Sequence, residues 1–146
     1  MKIMVSACLL GENCKYNGGN NRSEAVLRYV EGHQVIPVCP EVLGGLPVPR
    51  IPCEIADGVV TDRSGVSRDA EFRKGAALAL ALAEAEQIHE AVLQSRSPSC
   101  GVKAVYDGTF TGTLKAGQGI FARQLSERGF RVTDSDDLKE MEEYTE

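Results

Sequence analysis

The chain has 146 residues, of which 42% are hydrophobic and 25% charged, and its formal net charge at pH 7 is −5. This composition is typical of one globular domain and excludes a disordered chain, and no apolar run is long enough to cross a bilayer. Because the net charge is negative and Lys and Arg form no block, the sequence predicts no binding to DNA or to a membrane surface.

The first part of the chain predicts two buried strands separated by a helix. Residues 2–6 form a short apolar run that predicts a first strand; because it lacks the features of a signal peptide, we expect a cytoplasmic protein. Asn21 followed three residues later by Glu24 resembles a capping box, which predicts the start of a helix. Gly32 ends that helix, and residues 34–38 predict a second strand.

The middle of the chain predicts a long ordered loop, a helix and a strand. Residues 39–68 are rich in Gly and Pro but also contain residues of buried type such as Leu46, so we expect an ordered loop. Residues 71–87 are rich in Ala and Leu and predict a helix with one apolar face. Residues 91–94 then predict the third strand.

The last third predicts a hairpin followed by a helix, a strand and a terminal helix. The pair Asp107-Gly108 is a strong turn sequence between two runs of β type. The two predicted strands of this hairpin cover residues 102–106 and 109–114. We expect a helix over residues 120–128, a fourth strand at 130–132 and a helix over 136–144.

Alternation of strands and helices predicts an α/β fold. We expect a single Rossmann-like domain over residues 1–146, with a mainly parallel sheet of about four strands. Helices should cover both faces of this sheet, and the hairpin is inserted after the third strand.

Of the five cysteines in the chain, Cys8 and Cys39 lie just past the first and second predicted strands, and Cys100 lies in the loop after the third. The odd number and the reducing cytoplasm argue against a disulfide framework. Because ligands of open α/β sheets bind beyond the carboxyl ends of the strands, we expect these three thiols to share one site. Thiolates are soft metal ligands, and three of them leave one coordination position open, as a catalytic metal centre requires.

Simpler roles for the cysteines also have to be considered. A free cysteine taken alone is commonly a small buried hydrophobe, so the shared site depends on the placement of all three. The spacing matches neither a zinc ribbon nor a ferredoxin, because no Cys-x-x-Cys occurs. Cys14 fits equally well a fourth ligand and a thiol beside the site, and we interpret Cys53 as a packing residue.

Two polar residues stand next to the predicted ligands. Glu41 follows Cys39 by two positions, and apolar neighbours in its loop would raise its pKa into the range of an acid/base catalyst. Ser97 and Ser99 place hydroxyl groups in the loop that carries Cys100. Without the cysteines, a solvated carboxylate and turn-forming serines would be the better interpretations.

Six segments of the chain form a recognisable set of motifs: VSACLLG at 5–11, CKYNGG at 14–19, PVCPEVLGGLP at 37–47, PR at 49–50, SRSPSCG at 95–101 and DGTF at 107–110. Taken together, these segments resemble a bacterial family, some of whose members are thiouracil desulfidases. They occur in the family's order and span nearly the whole chain.

This resemblance implies a Rossmann-like fold that binds a [4Fe–4S] cluster through Cys8, Cys39 and Cys100. One iron would have no protein ligand and would take the sulfur of a thiolated pyrimidine base or its nucleotide. The resemblance further implies that Glu41 and Ser97 are the catalytic acid/base groups, and that sulfur is removed by non-redox hydrolysis.

The chain departs from the family at three positions. The family usually has Arg and Asp where this chain has Lys15 and Asn17, and it commonly lacks a thiol at the position of Cys53. These differences concern the substrate more than the cluster.

Two other functions remain open on the sequence. In one, the chain binds no cluster, and Cys100 is the nucleophile or persulfide carrier of a sulfurtransferase. In the other, the chain is a non-enzymatic zinc-binding module with Cys14 as its fourth ligand. The sequence gives no indication of an oligomeric state.

Overall fold

A parallel sheet of four strands forms the centre of the computed structural model, which describes residues 1–144. The strands are β1 (Lys2–Ser6), β2 (Gln34–Val38), β5 (Glu90–Leu93) and β8 (Arg131–Asp134). Their spatial order is β2-β1-β5-β8, and each neighbouring pair is parallel. The predicted α/β fold with a parallel sheet is confirmed. The chain leaves β1 for β2 on one side and reaches β5 on the other, so a crevice opens where these strands end.

Helices cover both faces of the sheet, as predicted. They are α1 (Glu24–Tyr29), α2 (Pro40–Leu43), α3 (Asp69–Glu86), α4 (Ile120–Glu127) and α5 (Ser135–Tyr144). On one face, Met4 and Leu93 pack with Ala76 of α3 and Phe121 of α4. On the other face, α1 and α5 supply Val26 and Leu138, which pack against Ile3, Val5 and Val92. Within residues 1–144, no helix has the length and apolarity of a membrane span.

The start of α1 differs from the predicted capping box. Ser23 is the N-cap, and its hydroxyl accepts a hydrogen bond from the backbone N–H of Val26 at 3.3 Å. The predicted capping box of Asn21 and Glu24 was therefore wrong, because the Asn21 side chain donates a hydrogen bond to Cys8 Sγ instead.

The segment predicted as a long loop, residues 39–68, is ordered as expected but contains regular structure. It holds α2 and a hairpin of β3 (Cys53–Ala56) and β4 (Val59–Asp62). Ile55 and Val60 of this hairpin pack with Phe72 of α3 and with Val105. The hairpin was missed because its apolar partners lie far away in the sequence.

The second hairpin is present, but its second strand lies further along than predicted. It consists of β6 (Ala104–Tyr106) and β7 (Leu114–Ala116), so residues 107–113 are a loop rather than a two-residue turn. Glu54 fixes this loop because its Oε1 accepts hydrogen bonds from the backbone N–H groups of Gly108 and Phe110. Gly108 has φ +93° and lies against Ala56, where a side chain would have no room.

Close contact between α2 and α3 fixes the position of the Cys39 segment. A Cβ atom added to Gly75 of α3 would lie 1.8 Å from the carbonyl oxygen of Pro40. One added to Gly44 would lie 2.0 Å from the carbonyl oxygen of Glu71. Only glycine at both positions allows α2 to pack this closely, and α2 carries Glu41 in its first turn.

Candidate metal centre and active site

A pocket of about 490 Å³ opens at the carboxyl ends of β1, β2 and β5. Its size is that of a small-molecule site, for which roughly 300–1,000 Å³ is usual. Its wall includes all the cysteines and both predicted catalytic residues: Cys8, Cys14, Cys39, Cys53, Cys100, Glu41 and Ser97. The structure therefore brings the three thiols at the strand ends together in one crevice.

Each of the three thiols is held by a different local structure. Cys8 lies in a turn of 3-10 helix, Ala7–Leu10, directly after β1. Cys39 is the N-cap of α2 and directly follows β2. Cys100 lies in the connection between β5 and β6 and is only 4% exposed, whereas Cys8 and Cys39 are half-buried.

Each of these three thiols also has a hydrogen-bond donor other than a cysteine. The side-chain amide of Asn21 donates to Cys8 Sγ at 3.6 Å. The backbone N–H of Val42 donates a hydrogen bond to the sulfur of Cys39, and the hydroxyl of Ser6 donates one to the sulfur of Cys100. Donors of this kind stabilise a thiolate, which is the form that binds metal.

Cys14 lies between two of these thiols and behaves differently. Hydrogen bonding with Cys39 and Cys8, followed by burial, raises the pKa of Cys14. The same contact with Cys14 lowers the pKa of Cys8, and it lowers the pKa of Cys39 to about 7. Cys14 therefore lies within hydrogen-bonding reach of both Cys8 and Cys39.

The thiols of Cys100 and Cys53 ionise less readily than those of Cys8 and Cys39. Burial raises the pKa of Cys100 well above its usual value, although the hydrogen bond from Ser6 opposes this. Burial also raises the pKa of Cys53 to about 11, with the charge of Glu41 as the next cause. The Cys53 thiol donates to the carbonyl oxygen of Ile51 at 3.6 Å, which agrees with a packing role.

The thiols can be compared with the needs of a single ion and of a cluster. Among the residues that the structure describes, no three His, Cys, Asp or Glu side chains are arranged to hold one metal ion. A tetrahedral zinc needs its sulfur ligands about 2.3 Å from a single point. In a four-iron cluster each thiolate binds its own iron. Cys8, Cys39 and Cys100 line one pocket, and their thiol chemistry fits ligands of such a cluster.

Glu41 forms a largely buried ion pair with Arg50. Arg50 Nε lies 3.1 Å and Nη2 3.0 Å from Glu41 Oε1, and the two side chains are 7% and 16% exposed. Arg50 also donates to the carbonyl oxygens of Pro47 and Cys14 at 3.1 and 2.9 Å. Glu41 therefore contacts a guanidinium group instead of the apolar surroundings that we expected from the sequence. Through these bonds Arg50 connects the segments that carry Cys14, Glu41 and Pro47.

Ser97 and Ser99, the two serines near Cys100, make different hydrogen bonds. Ser97 Oγ accepts hydrogen bonds from the backbone N–H groups of Ser99 and Cys100, both at 3.1 Å. This shapes the loop and leaves the Ser97 hydroxyl proton available for a group in the pocket. Ser99, only 1% exposed, instead donates its hydroxyl to Glu41 Oε2 at 3.2 Å. The structure therefore joins Ser99 directly to Glu41 and places Ser97 at the pocket wall.

The outer part of the pocket is lined by aromatic and cationic residues. Lys15 lies 5.7 Å from the ring centre of Tyr16, and Arg63 lies 5.8 Å from that of Phe110. All four line the pocket together with Tyr106. Aromatic walls of this kind suit a planar ring, and the cations suit a ligand that carries negative charge. No motif in the sequence indicated Arg63 as a site residue, but in the structure it lines the pocket.

Comparison with known proteins identifies similar chains over nearly the full length. The profile of a family described as 2-thiouracil desulfurase matches residues 3–137. An uncharacterized protein of Bacillus subtilis (strain 168), YbbK, is 36% identical over 149 residues, which cover 95% of this chain and 99% of that protein. The solved structure of the [4Fe-4S]-dependent thiouracil desulfidase TudS superposes with a TM-score of 0.88 at 42% identity. That match covers 95% of this chain and 93% of TudS.

Proposed function

This chain belongs to the 2-thiouracil desulfurase family and is a C–S bond-cleaving enzyme, and we propose that it removes sulfur from a thiolated pyrimidine at a [4Fe–4S] cluster. In this proposal the cluster is held by Cys8, Cys39 and Cys100. The net reaction is hydrolytic: water replaces a C=S bond by C=O, hydrogen sulfide leaves, and no electrons are transferred to or from the substrate.

The observation that best supports the proposal is that three thiols meet in one pocket although each is held by a different local structure. They surround one pocket and each has its own hydrogen-bond donor: Asn21, Val42 and Ser6. Cys14, in contrast, is hydrogen-bonded to Cys39 and Cys8 themselves. With three protein ligands, one iron of a bound cluster would lack a protein ligand and would supply a Lewis acid for the substrate sulfur.

Glu41 is the proton-transfer group in this proposal. Arg50 and Ser99 fix its two carboxylate oxygens, so the carboxylate lies in one orientation beside the thiols. A fixed carboxylate can take a proton from water as the water adds to the C=S carbon. Ser97 presents its hydroxyl proton at the pocket wall, where it can bind an oxygen or a nitrogen of the pyrimidine ring.

The outer pocket supports a planar substrate, either as a free base or as a nucleotide. Tyr16, Tyr106 and Phe110 offer aromatic surface for the ring. Lys15 and Arg63 bring positive charge to the pocket, which would suit the phosphate group of a nucleotide. Both forms should therefore be assayed.

The test is sulfide release by the anaerobically reconstituted chain from 2-thiouracil and from its nucleoside monophosphate. We expect turnover with at least one of them, and a Glu41→Gln rate lower by about 10²–10⁴-fold with the iron content retained. Ser97→Ala should lose less if this residue only orients the substrate. Glu127→Gln is the matched control, because Glu127 forms an exposed pair with Arg123. Near-wild-type turnover of Glu41→Gln with an intact cluster would assign the proton transfer to another group.

One observation favours a second candidate, a cluster-free sulfurtransferase. Hydrogen bonding with Cys14 lowers the pKa of Cys39 to about 7, which favours the nucleophilic thiolate form of Cys39 in the metal-free chain. Cys100 was the nucleophile expected from the sequence for this function, but burial raises the pKa of its thiol. Under this alternative, metal-free protein would accept a persulfide sulfur on Cys39 and remain colourless, whereas the cluster protein is brown.

A further inference from the structure

Asn21 holds Cys8 at two points. Its backbone N–H donates to the carbonyl oxygen of Cys8 at 3.0 Å, and its side-chain Nδ2 donates to Cys8 Sγ at 3.6 Å. The two residues are 13 positions apart, and both line the pocket. The backbone hydrogen bond fixes the position of Asn21, and its side-chain amide then lies within hydrogen-bonding distance of Cys8 Sγ.

A hydrogen bond to a ligand sulfur changes the electronic properties of a metal centre. An N–H group that donates to a thiolate withdraws electron density from it, and so weakens its donation to the metal. Hydrogen bonds to the sulfurs are among the factors that set the reduction potential of iron–sulfur clusters. Asn21 is suited to this role because its amide is neutral and does not titrate.

We propose that Asn21 is a positioning residue that fixes Cys8 as a ligand and tunes the cluster through its Nδ2–H···Sγ hydrogen bond. This inference rests on the proposed function, because it needs the cluster. With the bond present, the cluster has a higher reduction potential and its open iron is a stronger Lewis acid. Asn21 itself does not touch the reacting atoms in this role.

The test compares Asn21→Leu with the neighbouring Asn20→Leu after anaerobic reconstitution. Leucine removes the donor at similar volume. Asn20 is the matched control, because its side chain bonds Asn13 and the backbone N–H of Arg22 and not a cysteine. A second pair, Asn21→Asp and Asn20→Asp, keeps the shape of the side chain and adds one negative charge in the same loop. The readouts are the midpoint potential of the cluster in a reductive titration, the EPR spectrum of the reduced cluster, and iron per chain.

We expect a more negative midpoint potential in Asn21→Leu, a larger shift in the same direction in Asn21→Asp, and a changed EPR spectrum in both. Asn20→Leu should stay at the wild-type potential, and Asn20→Asp should shift it less than Asn21→Asp does. Loss of iron from the Asn21 variants, with iron retained in the Asn20 variants, would also support the role in holding Cys8. Wild-type potential, spectrum and iron content in both Asn21 variants would overturn the inference and leave the proposed function standing. A wild-type chain that takes up no cluster would contradict the proposed function itself, and the inference with it.

Discussion

The ion pair between Arg50 and Glu41 predicts that Arg50→Met is one of the most destabilising single changes near the site. The two side chains are only 7% and 16% exposed, so methionine would leave the Glu41 carboxylate with little water to replace the guanidinium. Removing one partner of a buried ion pair costs about 3–5 kcal/mol. Because Ser99 still donates to Glu41 Oε2, we expect the lower end of that range, about 3 kcal/mol.

Urea unfolding of the chain purified without metal measures this loss, by linear extrapolation of the free energy of unfolding. Arg50→Lys should recover part of the stability, because it keeps the charge but cannot bond three acceptors with a fixed fork. The control is Arg123→Met, which removes an exposed pair with Glu127 and should cost about 0.3–0.5 kcal/mol. An Arg50→Met chain within about 1 kcal/mol of the wild type would refute the idea that Arg50 holds the segments of Cys14, Glu41 and Pro47 together.

Three further predictions concern the walls of the site. Cys14→Ser should keep about four irons per chain after reconstitution, whereas serine at any one of the three ligands should lose them; equal loss in all four variants would indicate a site closed by four cysteines. Ser99→Ala removes a hydrogen bond to the Glu41 carboxylate and should slow sulfide release about 10–100-fold, since such bonds contribute about 1.5–3 kcal/mol; an unchanged rate would mean that Arg50 alone orients Glu41. Gly75→Ala places a Cβ atom 1.8 Å from the Pro40 carbonyl oxygen and should lower the free energy of unfolding by about 1–3 kcal/mol in urea, while an unaffected variant would show that α2 can move away at little cost.

The sheet and the shared position of the three thiols could be predicted from the sequence because both follow from local patterns. Short apolar runs identified β1, β2 and β5, and the ends of parallel strands meet at one edge of the sheet. Cys8, Cys39 and Cys100 directly follow these strands or lie in the loop after them, so their convergence needed no knowledge of tertiary contacts.

Features that depend on distant partners could not be predicted in this way. Ser99 donates to Glu41 across 58 positions, and the sequence offered no reason to prefer it over Ser97. Asn21 suggested a helix cap from local spacing, but its side chain bonds Cys8, which lies before the helix begins. The Pro49-Arg50 pair is one of the segments shared with the family. This resemblance indicated that Arg50 matters in the site, but it did not indicate an ion pair with Glu41.

An anaerobic crystal structure of the reconstituted chain, with the irons located by their anomalous scattering, tests the central claim most directly. The account predicts a cluster of about four irons in the pocket at the ends of β1, β2 and β5. Three of the irons should be bound by Cys8, Cys39 and Cys100, and the remaining iron should face Glu41 and Ser97 without a protein ligand. A single metal ion in the pocket, or Cys14 bound to the remaining iron, would contradict it.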